Sequence, residues 1–218
     1  MHTVPQGRGQ LRARRAPEHG SLPPERQALK DWYTPRETWY AGFVVRLTEA
    51  ALERLRNRLC NQGERPSLVL PSGTPTRADL MEAVQIVTEF GPLCEAMFLV
   101  MLADGRVKNV ERDVLRGALR AISGNRVRSS HIESMLDAAA KNVAEEGLKA
   151  RLDDVIARLR ETPTRAEIAY VLAAAVAAAD DNVAPEEASL LEQLADGLGI
   201  DERRANELVN ELQQDDPA

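Results

Sequence analysis

Nine residues hold the side chains best suited to chemistry, and the chain writes the pattern twice. The first copy is Ala103-Asp104-Gly105-Arg106-Val107-Lys108-Asn109-Val110-Glu111. The second is Ala179-Asp180-Asp181-Asn182-Val183-Ala184-Pro185-Glu186-Glu187. Both read Ala-Asp-x-x-Val-x-x-x-Glu, so internal repetition is the first signal to weigh. Carboxylates gathered in turns are hard oxygen ligands, suited to Ca²⁺, Mg²⁺ or Mn²⁺ rather than to soft metals. The candidate metal ligands are Asp104, Glu111, Asp180, Asp181 and Glu187.

The same residues also fit a purely structural role. With Ala184 as N-cap, Pro185 is the first helical residue. Glu187 is then the third, from which its carboxylate reaches back to the cap N–H. Glu111 occupies the matching place in the first copy. Asp104 and Asp180 would end their helices and accept hydrogen bonds from turn N–H groups. An EF-hand is excluded, because its first two ligand positions would fall on Val100 and Leu102, or on Val176 and Ala178.

The elements around the turns read as helices. Each copy follows an apolar run, Met97 to Leu102 or Tyr170 to Val176. Each precedes an amphipathic one, marked by Leu115, Ala118, Leu119 and Ile122 or by Leu191, Leu194, Ala195 and Leu198. Leu93 to Ala103 is apolar on every side except at Glu95, which predicts a central, surrounded helix. Ser130-x-x-Glu133 and Thr164-x-x-Glu167 read as capping boxes, Gly199 as a helix stop and Asp201 as the cap of a last helix. Leu80, Ala83, Val84 and Val87 predict a buried stripe that ends at Gly91-Pro92, since proline disfavours helix at the residue before it. Tyr40, Phe43, Val44, Leu47, Ala51, Leu55 and Leu59 form an apolar face within residues 37–59, with Trp32 and Trp39 as its packing aromatics.

No segment alternates with period two over useful length. Aromatic residues are only 4% of the chain, while Ala, Leu, Glu and Arg abound, which favours helix. The fold class expected is all-α, a compact bundle of about seven to eight helices with two pseudo-equivalent helix–acidic turn–helix repeats. The expected organisation is a disordered basic arm over 1–36, an N-terminal helix and Pro/Gly connector over 37–76, a helical domain over 77–213 and an acidic tail over 214–218.

At these residues the chain resembles the TerB family of tellurite-resistance proteins. Two buried helices ending in Ala-Asp, a valine three residues on, an acid-opened partner helix and the closing Leu198-Gly199-Ile200-Asp201 carry the likeness, over roughly residues 77–213. The resemblance implies a compact all-α domain, a bacterial and cytoplasmic protein, a link to stress and tellurite resistance, and a divalent-metal site built from the turn acids. Lys108, Asn109 and Asp181 depart from the family pattern, and such changes would weaken a metal site.

Composition narrows the partners. The chain of 218 residues carries −6, and residues 1–36 hold seven Lys/Arg against three Asp/Glu, so the remainder carries −10. An acidic body is a poor binder of nucleic acid, leaving cations or other proteins as partners. Cys60 and Cys94 have no metal-ligand spacing and read as free thiols. The longest apolar run, Ile168 to Ala179, is shorter than a membrane span of about 20 residues, and no secretory signal opens the chain. These observations set the expectation of a cytoplasmic protein without a transmembrane segment. His2, His19 and His131 join no catalytic constellation, and no glycine-rich phosphate cradle is present, so the reading is non-enzymatic.

Overall fold

A computed structural model describes residues 47–60, 77–180 and 182–213. The expected arm, connector and tail, with Trp32, Trp39, Tyr40, Phe43 and Val44, lie outside them. The described residues form eight α-helices and no strand. In chain order they are α1 (Glu49–Cys60), α2 (Arg77–Leu102), α3 (Asn109–Ile122), α4 (Ser129–Glu146), α5 (Leu148–Leu159), α6 (Pro163–Ala177), α7 (Pro185–Leu198) and α8 (Glu202–Gln213).

The two most apolar segments pack together, α2 making its most extensive contact with α6. Every residue from Pro92 to Met101 is buried, as is every one from Ile168 to Ala178. A helix apolar on all sides must be surrounded, and here each central helix supplies the other's wall. Helices α4 and α5 pack on α2, while α3 and α7 pack on α6. Helix α7 also approaches α5 closely: a Cβ on Gly197 would lie 2.5 Å from Ile156 Cδ1.

Two expectations about α2 are corrected. The helix runs unbroken for 26 residues with Pro92 inside it. Proline removes one helical hydrogen bond at a cost of about 3 kcal/mol. Burial of Phe90 and Leu93, worth about 1.5–3 kcal/mol each, is enough to hold the helix through it. Beside the break, the Arg165 guanidinium donates to the Glu89 carbonyl. The predicted stripe is also turned outward. Leu80, Val84 and Val87 are 60%, 61% and 45% exposed, and Ile86 and Phe90 are buried instead. Periodicity identifies an apolar face without saying what lies against it. Because α2 is continuous, Leu80–Leu102 is long and apolar enough to cross a membrane, yet 67% of its most apolar window is buried in the protein.

Helix starts show the same mixture of agreement and correction. Pro185 opens α7 as its first residue, Gly199 closes it at φ 76°, and Asp201 Oδ1 accepts from the Arg204 N–H at 2.7 Å. Helix α4 starts one residue earlier than its expected cap: Arg128 is the N-cap and its N–H donates to His131 Nδ1. Glu133 is left to receive Arg116 at 2.7 Å. Thr162 takes the cap position of α6, and Glu167 binds the guanidinium groups of Arg58 and Arg204 rather than its own helix start. In both cases a tertiary arginine contact outcompetes a local cap.

Candidate functional site

The two acidic turns join α2 to α3 and α6 to α7, and each is folded by its own side chains. Asp104 Oδ1 accepts from the Arg106 N–H at 2.6 Å, and Asp180 Oδ1 accepts from the Asn182 N–H at 3.3 Å. Glu111 Oε2 accepts from the Lys108 N–H at 3.3 Å, and Glu187 Oε2 from the Ala184 N–H at 2.8 Å. These are the helix-start bonds expected from the spacing. Gly105 adopts φ 73°, a conformation glycine takes without a Cβ penalty. Asp181, its counterpart in the second copy, lies outside the described residues.

Lysine 108 brings the turns together. Its Nζ lies 2.8 Å from Asp180 Oδ2 in the other turn and 3.0 Å from Glu111 Oε1 in its own. The contact to Glu111 pairs the ammonium with Oε1, the carboxylate oxygen that the helix-start bond leaves free. Glu187 Oε1, by contrast, has no hydrogen-bond partner among the described residues. Both glutamates are 0% exposed, so Glu187 keeps one dry carboxylate oxygen unspent while Lys108 takes that of Glu111. Buried polar groups are normally satisfied, and an orphan of this kind calls for an explanation.

The electrostatics follow from that arrangement. Burial pushes the Glu187 carboxyl up to about 7, and the neighbouring Glu111 and Asp104 charges push the same way. Burial also raises Glu111, but the Lys108 ammonium and N–H oppose the rise. Lys108 holds Asp180 below the usual carboxylate range, and Asp180 in turn raises the lysine. Glu111 and Asp180 thus share one ammonium, Glu187 feels its charge from nearby, and Asp104 acts on Glu187.

Hard oxygen donors, one of them buried and unpartnered, suit a divalent cation. A cationic group already stands between the turns, and as arranged no three acidic, His or Cys side chains among the described residues are close enough to hold a metal. The donor chemistry fits a metal; the space between the donors is held by Lys108. Residue spacing marks four of these acids but assigns Lys108 no role. Its signal was present in the sequence, as a lysine at the cap position where the second copy has Ala184.

A second polar cluster was missed as well. Glu95, the lone acid of the central helix, is buried and takes Arg151 at 2.8 Å and Arg158 at 2.6 Å, both from α5. Arg151 also reaches Glu146 and Asp154. The seven-residue spacing of the two arginines on one helix face was the available clue. Cys94 is a free, buried thiol, and burial pushes it up to about 12, so it is inert at neutral pH.

The fold and the paired turns define, over the described residues, an all-helical domain whose two acidic turns meet at Lys108. The family model of the tellurite resistance protein TerB matches residues 92–210, and the chain belongs to that family. Neither curated proteins nor solved structures provide a match.

Proposed function

We propose that this chain is a non-enzymatic, tellurite-resistance-related domain that takes a divalent cation at its twin-turn centre and acts within a cytoplasmic stress-response protein complex. One observation supports the cation reading above the others: Glu187, fully buried, leaves Oε1 without a hydrogen bond inside a centre rich in carboxylates. Asp104, Glu111, Asp180, Asp181 and Glu187 would hold the ion. It would supply charge neutralisation and a bridge between the two turns. An acidic body of this kind is suited to cations and repels tellurite oxyanions.

Calorimetric titration of EDTA-stripped protein with Ca²⁺, Mg²⁺ and Mn²⁺ tests this. Saturable heat and a raised melting temperature are expected, since a ligand that binds only the folded state stabilises it. The double variant Asp104→Asn plus Asp180→Asn should keep its helicity and lose the response.

A second reading is a helical interaction scaffold that needs no metal, favoured by the ammonium of Lys108 already lying between the turns. A melting temperature indifferent to all three ions and to EDTA would select it.

A further inference from the structure

We propose that Lys108 is the built-in cation of the twin-turn centre, and that a divalent metal enters only by displacing its ammonium. The inference rests on the cation reading above but concerns this chain's own lysine. Nζ contacts an acid from each turn, Glu111 at 3.0 Å and Asp180 at 2.8 Å, so one tethered charge clamps the two loops as a bridging ion would. It does so incompletely. A lysine ammonium has three donors and no rigid coordination geometry, and Glu187 Oε1 stays without a hydrogen bond. The clamp is also removable. The Lys108 side chain is 30% exposed, so its four-carbon stem can swing into water without crossing the core.

Displacement has a defined consequence for affinity. Where the binding-competent state is only a fraction of the population, the apparent Kd equals the intrinsic Kd divided by that fraction. With the lysine in place for most of the time, the unmutated chain should bind at least about tenfold more weakly than one lacking the ammonium. Ala184, the matching cap position of the second turn, has no charge to play this part.

The test compares the full-length chain with Lys108→Gln and Lys108→Arg, each stripped with EDTA and titrated with Ca²⁺, Mg²⁺ and Mn²⁺ in a calorimeter. Lys108→Gln should bind at least about tenfold more tightly, and Lys108→Arg, which keeps the charge, should match the unmutated chain. A measurement on the unmutated chain covers the case in which Lys108→Gln does not fold. Acylation of Lys108 by an amine-reactive ester, mapped by mass spectrometry, should rise several-fold on adding metal. Lys141 and Lys149, 72% and 63% exposed, should be unchanged. Equal affinities with no change in Lys108 labelling would overturn the inference and leave the cation reading standing. Binding by Lys108→Gln alone would uphold the inference and remove metal binding from the native chain. No binding by either folded protein would end both.

Discussion

The two acidic turns are written almost alike and reach different electrostatic states. In the first, the N-cap is Lys108, whose backbone N–H and ammonium both approach Glu111. In the second, the N-cap is Ala184, which offers Glu187 a backbone N–H and nothing more. Both carboxylates are fully buried. The difference of one side chain leaves Glu187 as the acid pushed up to about 7, while part of the burial effect on Glu111 is opposed. The shared spacing gives both turns the same helix-start bond, while the cap residue decides whether a cation stands beside it.

The largest expected effect comes from removing that residue. Lys108→Ala should lower the unfolding free energy by about 2–3 kcal/mol, because it strands Glu111 and Asp180 without their shared cation. That is less than a fully buried pair would lose, since Lys108 and Asp180 are 30% and 26% exposed. Denaturant melts in EDTA at low salt would measure it, and a loss no larger than that of an ordinary surface substitution would sink the clamp.

Glutamine replacements probe the asymmetry itself. Glutamine can keep the helix-start bond, so Glu187→Gln removes mainly an unpaired buried charge and should stabilise the protein by about 1 kcal/mol at pH 8. Glu111 is raised too, but Lys108 opposes part of the burial effect, so Glu111→Gln should stabilise by less than Glu187→Gln, by about 0.5 kcal/mol or less. Equal gains in a thermal melt would show the turns to be electrostatically equivalent after all.

Glu167 is the reference for a well-paired carboxylate, lying 2.7 Å from Arg204 and also paired with Arg58. The arginines, Arg204 foremost, hold it below the usual carboxylate value of 4.5. A group lowered in the folded state contributes stability that is present above its unfolded pKa and lost as pH falls through the folded one. The acid limb of the stability curve should therefore carry about 1 kcal/mol from Glu167, absent in Glu167→Gln. Identical acid limbs in the two proteins would refute the assignment.

The smallest effect belongs to the turn backbone. Gly105→Asp copies the second turn into the first and places a side chain at φ 73°. A cost of about 0.5–1 kcal/mol is expected, since aspartate tolerates this region better than most residues. A neutral result in a denaturant melt would mean the first turn can relax away from the left-handed conformation.

Much of this was legible in the residues. The spacing from Ala184 to Glu187 encodes a contact within one helical turn, and such contacts depend on local geometry alone. The capping bonds of Glu111 and Glu187 and the turn bonds of Asp104 and Asp180 accordingly fell where the sequence placed them. The apolar character of residues 93–103 likewise required a central helix whatever the topology. Family membership followed from the same local pattern.

Other features depended on which elements meet. The pattern at Leu80, Val84 and Val87 could not say that this face is left outside, nor could Pro92 reveal that burial around it would keep α2 continuous. Ser130-x-x-Glu133 and Thr164-x-x-Glu167 were sound local signals that lost their glutamates to arginines distant in sequence. Lys108 is the clearest case. Its backbone role could be read from three neighbouring residues, but its ammonium finds Asp180 only because packing brings the two turns together. Sequence sets what each carboxylate can do within its own turn; the charge it faces across the bundle is a distance, and only the fold supplies distances between residues far apart in the chain.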